Sequence, residues 1–239
     1  MTDILFQLPT NPVAPKTTIS DLTTLIYGPT KSGKSTFCSH SDGAIFFATE
    51  PGLNSLNVFQ VGIDDWKTLK MASAAIAKGE HKFKTVVIDT IDNAYKMCSE
   101  YACAKAGIQH ESDLPFGKGF SATNNEFQRV INRLARLPYG LIMISHSCEK
   151  EMETRTGKLT RTVPTMPEGA RKFIVGLADL VLFADLEKDK SGTWQRVLRT
   201  KPNPNYDAGD RTGLLPETLP LDYKLMEEEL KKGSKKNVR

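Results

Sequence analysis

The sequence predicts an α/β domain in which helices flank a mostly parallel central sheet, with an antiparallel hairpin at one edge. Five short apolar runs alternate with stretches of helical periodicity along the 239 residues, as in strands covered on both faces. After the fifth run, "KDKSGT" at 188–193 predicts a turn and "WQRVLRT" at 194–200 predicts a returning strand. We expect an arm at 1–20, one core at 21–220, and a short acidic helix with a basic tail at 221–239.

Buried strands are the clearest elements, because each is a continuous apolar run bounded by polar or turn residues. The first covers residues 22–27 and leads into a turn at 28–35, after which a helix continues to about Ser41. The remaining four strands are "GAIFFATE", "KTVVIDT", "YGLIMIS" and "ADLVLFAD", at 43–50, 84–90, 139–145 and 178–185.

Helices are predicted where apolar residues recur every three or four positions. This spacing covers residues 64–78 and begins again at Ile91. Two further helices are predicted to open at capping boxes, 123–126 and 165–168, in which side chains satisfy backbone N–H groups. Polar stretches without periodicity are predicted as loops, at 107–121 and 148–164.

Composition is typical of an ordinary globular protein. Hydrophobic residues make up 39% and charged residues 25%, and the net charge of +4 is too small to imply a nucleic-acid partner by itself. No apolar run approaches the roughly 20 residues of a membrane span, and the opening "MTDILFQLPTNPVAPK" lacks the pattern of a secretory signal. We therefore expect a cytoplasmic protein without a membrane partner, whose cysteines are reduced thiols, namely Cys38, Cys98, Cys103 and Cys148.

The stretch "GPTKSGKS" at 28–35 fits the phosphate-loop pattern G-x-x-x-x-G-K-[ST], and it follows a strand and precedes a helix as that pattern requires. Its glycines let successive backbone N–H groups converge on a phosphate, and the helix N-terminus adds positive charge. Lys34 is predicted to reach the β- and γ-phosphates of ATP, and the Ser35 hydroxyl to bind Mg²⁺. The predicted nucleotide-binding residues are Gly28, Pro29, Thr30, Lys31, Ser32, Gly33, Lys34, Ser35 and Thr36.

A phosphate loop of this kind needs a carboxylate that holds the metal at the end of a neighbouring buried strand. "TVVIDT" supplies Asp89 there, which makes Ser35 and Asp89 the predicted metal ligands. The alternative is an aspartate that only closes the turn after the strand. Asp92 is a weaker candidate for the metal, because it falls inside the next helix.

Thr90 follows Asp89, so a catalytic base that activates water must come from elsewhere in the chain. Glu50 ends the second strand beside a turn, where it would face the γ-phosphate, and the alternative is a solvated loop glutamate. His146 ends the fourth strand. A polar side chain at that position either senses the γ-phosphate or simply closes the strand.

These stretches together resemble the core ATPase domain of the RecA superfamily. The shared features are the phosphate loop, "FFATE" ending in Glu50, "TVVIDT", and "LIMISH" ending in a polar residue, over about residues 21–202. Their order and the single-domain size look most like the phage-encoded, core-only RecA-like ATPases of single-strand annealing and recombination, as do "GKGFS" at 117–121 and "DAGDRTGLLPETLPLDY" at 207–223. The chain departs from RecA itself in having His146 where RecA has an amide. We also expect no sizeable DNA-binding domain beside the core, so the resemblance does not imply RecA-type strand exchange.

The resemblance implies an ATP hydrolase, stimulated by DNA, that works as a homo-oligomer in DNA recombination, annealing or repair, in the bacterial host cytoplasm if the protein is phage-encoded. Arg199 and Lys201 occupy the place from which family members reach the ATP of an adjacent subunit, although both also fit as exposed edge-strand cations. The loops at 108–121 and 148–164 correspond to a path for single-stranded DNA, and a single-strand-binding protein is a further expected partner. The candidate DNA contacts are Phe116, Phe120, Lys150, Arg155, Lys158 and Arg161.

The sequence alone also allows other functions. A P-loop small-molecule kinase would use the same loop with an arginine-rich lid, for which 148–164 is the one candidate. A non-catalytic module, in which ATP gates assembly without hydrolysis, also fits. A GTPase would need an Asn/Thr-Lys-x-Asp element, and "TKPN" at 200–203 lacks the aspartate. The Ser-Gly-Gly signature of a transporter ATPase is absent from the sequence.

Overall fold

Ten strands and six helices follow one another along the part of the chain that this computed structural model describes, residues 8–154 and 157–236. The strands, β1 to β10 in chain order, are Thr23–Gly28, Ala44–Ala48, Phe59–Gly62, Thr85–Asp89, Gly140–Thr154, Gly157–Pro164, Leu180–Lys188, Trp194–Arg199, Gly209–Asp210 and Thr218–Pro220. The helices, α1 to α6, are Lys34–Ser39, Trp66–Lys78, Ile91–Ala106, Lys118–Ala135, Glu168–Leu177 and Tyr223–Lys236. Short 3₁₀ turns lie at Ile19–Asp21, Glu111–Asp113 and Pro115–Gly117.

The strands belong to one sheet whose main path runs β10-β8-β7-β1-β5-β4-β2-β3. From β7 to β3 all neighbours on this path are parallel. The strands β8 and β10 extend the sheet in antiparallel fashion beyond β7, and β6 pairs antiparallel with the outer part of β5. The predicted α/β fold, a mostly parallel sheet flanked by helices with an antiparallel edge hairpin, is confirmed.

Two apolar clusters cover the two faces of the sheet. All six residues of β1 are buried, and they alternate between the faces, with Leu25 and Tyr27 in one cluster and Ile26 in the other. The first cluster contains buried residues of α2, α3, α4 and α5, and the second those of α1 and α6. Cover on both faces explains why the central strands are continuous apolar runs in the sequence.

Residues 148–164, predicted as a loop, instead form an antiparallel ribbon. The outer part of β5 pairs with β6 from Ser147 opposite Pro164. The prediction was wrong because the outer half of the ribbon is largely exposed on both faces, so its sequence carries no alternation of apolar and polar positions. Residues 155–156, which include the predicted DNA contact Arg155, lie outside the described part of the chain.

Both predicted capping boxes were wrong, although both helices exist. The helix α4 begins inside the loop predicted at 107–121, directly after Gly117, whose φ of 67° lies in the left-handed region. Thr123 is therefore not a cap but a fully buried residue within that helix. The helix α5 begins where expected, but its N-terminal cap is Pro167 rather than Thr165, and no side chain caps it. In each case the backbone starts the helix without the side-chain hydrogen bond that the pattern suggests.

Two elements differ from the prediction at the margins of the fold. The strand β3, which was not predicted, pairs with β2 at the end of the sheet, and all four of its residues are exposed, so no apolar run marks it. The helix α6 is longer than the acidic helix expected, because it continues to Lys236 and is anchored by the buried residues Tyr223, Met226 and Leu230. Across residues 8–154 and 157–236, no helix is both long enough and apolar enough to span a bilayer.

Candidate nucleotide-binding site

The phosphate loop connects β1 to α1 at the carboxyl edge of the parallel strands. Geometry requires two of its glycines. A Cβ on Gly28 would lie 2.3 Å from the backbone oxygen of Ala184 in β7, which is closer than a side chain allows. Gly33 has a φ of 101°, a conformation that residues with a side chain rarely adopt. The glycines of the sequence pattern thus stand where the backbone needs them, as a phosphate cradle requires.

Lys34 is the buried cation of the loop, with only 5% of its surface exposed. Its Nζ donates hydrogen bonds to the carbonyl oxygens of Gly28 at 2.9 Å and Pro29 at 2.7 Å. Burial lowers the pKa of Lys34, and nearby carboxylates, Asp89 first, oppose that effect. An ammonium removed from water and held by neutral carbonyls attracts a phosphate strongly, because charges interact more strongly where the dielectric constant is low.

Ser35 and Asp89, the predicted metal ligands, are in contact. Ser35 Oγ donates to Asp89 Oδ2 at 2.7 Å, and Asp89 is buried at the end of β4. Burial raises the pKa of Asp89, whereas the hydrogen bond from Ser35 lowers it. A hydroxyl beside a carboxylate offers the oxygen ligands that Mg²⁺ prefers. A site with two protein oxygens suits Mg²⁺, which usually takes its other ligands from phosphates and water. The described residues contain no group of three His, Cys, Asp or Glu side chains that could hold a metal ion.

Glu50 lies just beyond β2 and faces the same space. The backbone N–H of Thr49 donates to Asp89 O at 2.8 Å, which ties the start of this turn to the end of β4. The Glu50 carboxylate accepts from Asn93 Nδ2 at 2.9 Å and lies 3.6 Å from His146 Nε2. Glu50 is therefore held between a side chain of α3 and one of β5, next to the predicted metal ligand.

Asp92 fixes the part of β5 that carries His146. From the first turn of α3 it accepts hydrogen bonds from Ser145 Oγ at 2.8 Å and from the His146 backbone N–H at 2.9 Å. Burial raises the pKa of Asp92, and these two hydrogen bonds oppose the rise. His146 stands opposite Gly28 in the ladder between β1 and β5. Asp92 thus positions the predicted sensor beside the phosphate loop.

One cavity of about 670 Å³ collects these groups. It is lined by the loop from Thr30 to Thr36 and by Glu50, Asp89 and His146, so the structure brings together most of the predicted site. Arg196 of β8 also lines this cavity and was not predicted. The stretch "WQRVLR" does not show which of Arg196 and Arg199 reaches the cavity, because that depends on the register between β7 and β8. Asn93 was missed as well, and its one signal is its position in the first turn of the helix after Asp89.

Arg199 and Lys201 lie away from this cavity and are held by carboxylates of their own chain. Arg199 pairs with Asp185 at 3.2 Å and with Glu187 at 3.1 Å, and Lys201 pairs with Asp210 at 3.1 Å. Neither cation is among the described residues that line the phosphate cavity. Their action on the ATP of a neighbouring subunit stays a prediction, and it requires these ion pairs to open or to be shared.

The predicted DNA contacts differ in how accessible they are. Phe116 is 96% exposed in a 3₁₀ turn, and Phe120 is 43% exposed on α4. Lys158 lies exposed on the ribbon of β5 and β6, whereas Arg161 pairs with Asp207 at 2.7 Å. DNA binding by these residues stays a prediction, and Arg161 would have to leave its ion pair with Asp207 to take part.

A phosphate loop after the first strand, a carboxylate at the end of a second buried strand, and a mostly parallel sheet define a P-loop NTPase. The family model of the AAA domain (AAA_24) matches residues 20–212, and the chain belongs to that family. The protein is therefore an ATP-binding P-loop ATPase in the general sense of that family.

The chain is similar to the SPbeta prophage-derived uncharacterized protein YorG of Bacillus subtilis (strain 168), with 23% identity over 185 residues. The alignment takes in 71% of this chain and 54% of YorG, so the chain spans about half the length of that relative. Among solved structures, the flagellar accessory protein FlaH from Methanocaldococcus jannaschii superposes with a TM-score of 0.46 and 11% identity, over 83% of this chain and 84% of FlaH. The name of YorG records a prophage origin and no activity.

Proposed function

We propose that the chain hydrolyses ATP with Mg²⁺ at the cavity between the phosphate loop and the ends of β2, β4 and β5. The observation that carries this proposal is the convergence of a buried lysine, a hydroxyl–carboxylate pair and a second carboxylate on one space. Asp89 has a hydroxyl partner in Ser35, whereas Glu50 faces an amide and an imidazole. Different surroundings favour different roles for two neighbouring carboxylates.

Each residue has one task in the reaction. Ser35 and Asp89 would hold Mg²⁺, which when bound draws negative charge from the β- and γ-phosphate oxygens. Lys34 stabilises the charge on the same oxygens as the bond from the γ-phosphorus to the bridging oxygen breaks. Glu50 accepts a proton from the attacking water, whose oxygen forms the new bond to phosphorus. The products are ADP, which keeps the bridging oxygen, and inorganic phosphate.

Asn93 and His146 orient Glu50 for this task. The hydrogen bond from the Asn93 amide occupies Glu50 Oε2, and Oε1 is the oxygen nearer to His146. These two contacts fix the direction of the carboxylate, so that a proton-accepting oxygen of Glu50 stays turned toward the phosphate cavity. In this proposal His146 also senses the γ-phosphate, which is one of the two roles that its sequence position allows.

The biological role in this proposal is DNA recombination, single-strand annealing or repair. The resemblance to phage RecA-like ATPases and the prophage origin of YorG support it, and they favour action in a bacterial cytoplasm. Phe116 adds support, because an aromatic ring open to solvent stacks on unpaired bases. The protein would act as a homo-oligomer with nucleotide at the subunit interface, and a single-strand-binding protein is a candidate partner.

Phosphate release from ATP, measured with and without a single-stranded oligonucleotide, tests this proposal. Faster release with DNA is the expected result. Turnover that depends on a small-molecule acceptor would favour a kinase instead, and ATP-dependent assembly without phosphate release would favour a non-catalytic module. Lys34→Ala protein, prepared in the same way, reports any contaminating hydrolase.

A further inference from the structure

A second cavity, of about 270 Å³, adjoins the phosphate cavity and shares Gly33, Thr36 and Arg196 with it. It lies between α1 and the segment that enters α6. Its remaining lining is Phe37, His40, Leu221, Asp222, Tyr223 and Lys224. The two cavities therefore form one path that crosses the phosphate loop and ends against the start of α6.

The order of groups along this path gives the direction of a bound nucleotide. Glu50 and His146 line the phosphate cavity, and neither is among the described residues that line the second cavity. Hydrolysis places the γ-phosphate beside Glu50, with the other phosphates against the loop and Lys34. The nucleoside end then points away from Glu50, toward the second cavity, because the path continues in that direction.

The chemistry of the second cavity suits a ribose and a base. Leu221 supplies apolar surface, and Phe37 packs edge-to-face against Tyr223 with ring centroids 5.4 Å apart. Asp222 caps α6 through Oδ1, which accepts from the backbone N–H groups of Lys224 at 2.9 Å and Leu225 at 3.1 Å. Its carboxylate thus adds an acceptor to a wall of mixed apolar and polar side chains, which is the mixture typical of small-molecule sites.

Arg196 connects the two cavities. A Cβ built on Gly33 would lie 3.2 Å from the Nη1 of Arg196, so the guanidinium reaches from β8 over the phosphate loop. Arg199, on the same strand, is held by two carboxylates, whereas no residue in the described ranges forms an ion pair with Arg196. A guanidinium without a carboxylate partner can stack its planar face on an aromatic ring.

We propose that the second cavity is the nucleoside subsite and that Arg196 stacks on the base of the bound nucleotide within its own subunit. This inference rests on the proposed nucleotide hydrolysis in the phosphate cavity. It adds which cavity receives the nucleoside of the bound nucleotide and which side chain contacts the base. It also gives β8 a role inside the subunit, separate from the one predicted for Arg199 and Lys201 between subunits.

Equilibrium binding of ATP and of inorganic tripolyphosphate, both with Mg²⁺, tests the subsite in wild-type and Arg196→Lys protein. Lysine keeps the positive charge and loses the planar face, so this change separates stacking from attraction to phosphate. We expect ATP to bind about tenfold more weakly to Arg196→Lys, with tripolyphosphate affinity within about twofold of wild type. Arg196→Ala should lose at least as much ATP affinity as Arg196→Lys.

Arg133→Ala provides the matched control, because Arg133 is exposed near the end of α4, at the opposite edge of the sheet. It should bind both ligands as the wild type does. Unchanged ATP binding by Arg196→Lys would overturn the subsite, and so would an equal loss of ATP and tripolyphosphate. Failure of the underlying function looks different, since the wild-type protein would then bind neither ligand, or Lys34→Ala would bind ATP as tightly as the wild type.

Discussion

The phosphate cavity and the ribbon of β5 and β6 lie at the same edge of the sheet. The charged side chains of the cavity are buried, whereas those of the ribbon are exposed to solvent. In the cavity, Lys34 and Asp89 expose only 5% and 4% of their surfaces. On the ribbon, the side chains of Lys158 and Glu151 are each 71% exposed, although they approach to 3.4 Å. Buried charges act on one another and on a ligand through a low dielectric, whereas solvated pairs contribute little. We therefore expect substitutions in the cavity to have large effects and those on the ribbon to have small ones.

Lys34→Ala should have the largest effect. It removes the cation that stabilises the transferring phosphate, so we expect kcat for ATP hydrolysis to fall on the order of 1,000-fold, together with weaker ATP binding. Phosphate release and calorimetric titration with ATP measure the two losses. Lys78→Ala, exposed at the end of α2, removes the same charge and should leave both unchanged. Near-normal turnover in folded Lys34→Ala protein would reject the site.

Asn93→Ala is the next test, because Asn93 orients Glu50 without reaching the phosphate loop. Misplacing a base slows the chemical step more than it weakens substrate binding. We expect kcat to fall about tenfold while KM for ATP changes less than about twofold. Lys96→Ala, exposed on the same helix, is the control. A higher KM with unchanged kcat would mean that Asn93 contributes to binding and not to the orientation of the base.

Lys201→Ala compares a partly buried pair outside the cavity with the exposed pairs of the ribbon. The Asp210 side chain, with 0% exposure, accepts from Lys201 Nζ at 3.1 Å and from the Leu215 N–H at 2.9 Å. Without Lys201 the carboxylate keeps its other hydrogen bonds, so we expect the free energy of unfolding to fall by about 1 kcal/mol. Urea unfolding measures this loss, and Lys158→Ala should show none. If the two variants are equally stable, the ion pair of Lys201 stabilises the fold no more than the exposed pair of Lys158 does, and the expectation is wrong.

Substitutions on the ribbon should have the smallest effect and act on DNA binding. If the ribbon lies along single-stranded DNA, Lys150→Ala/Lys158→Ala should weaken binding several-fold and reduce the salt slope by about one unit per lost contact. Titrations of an oligonucleotide at three or more salt concentrations measure both. The double change Lys67→Ala/Lys78→Ala on α2 removes the same charge from a helix outside the predicted DNA path. An identical salt slope in both double variants would place the DNA elsewhere.

The difference between the phosphate cavity and the ribbon also appears in what could be predicted from the sequence. The phosphate loop and Asp89 were predictable because each depends on a local pattern, an apolar run followed by residues of defined type. Arg196 and Asn93 were missed because their places depend on strand register and on how a helix packs, neither of which a local pattern records. The ribbon was missed for another reason. Its exposed charged residues satisfy their polar groups with water on both faces, so no apolar alternation remains to mark the strands.

In the proposed reaction, Glu50 takes the proton from water in the phosphate cavity. Single-turnover hydrolysis of bound ATP by Glu50→Gln, with ATP affinity measured on the same preparation, tests it most directly. Glutamine keeps the size of the side chain and removes the base, so we expect ATP affinity within about twofold of wild type and a chemical step slower by about 100-fold or more. If Glu50→Gln converts bound ATP to ADP and phosphate at the wild-type rate, another group activates the water and the assignment of Glu50 is wrong.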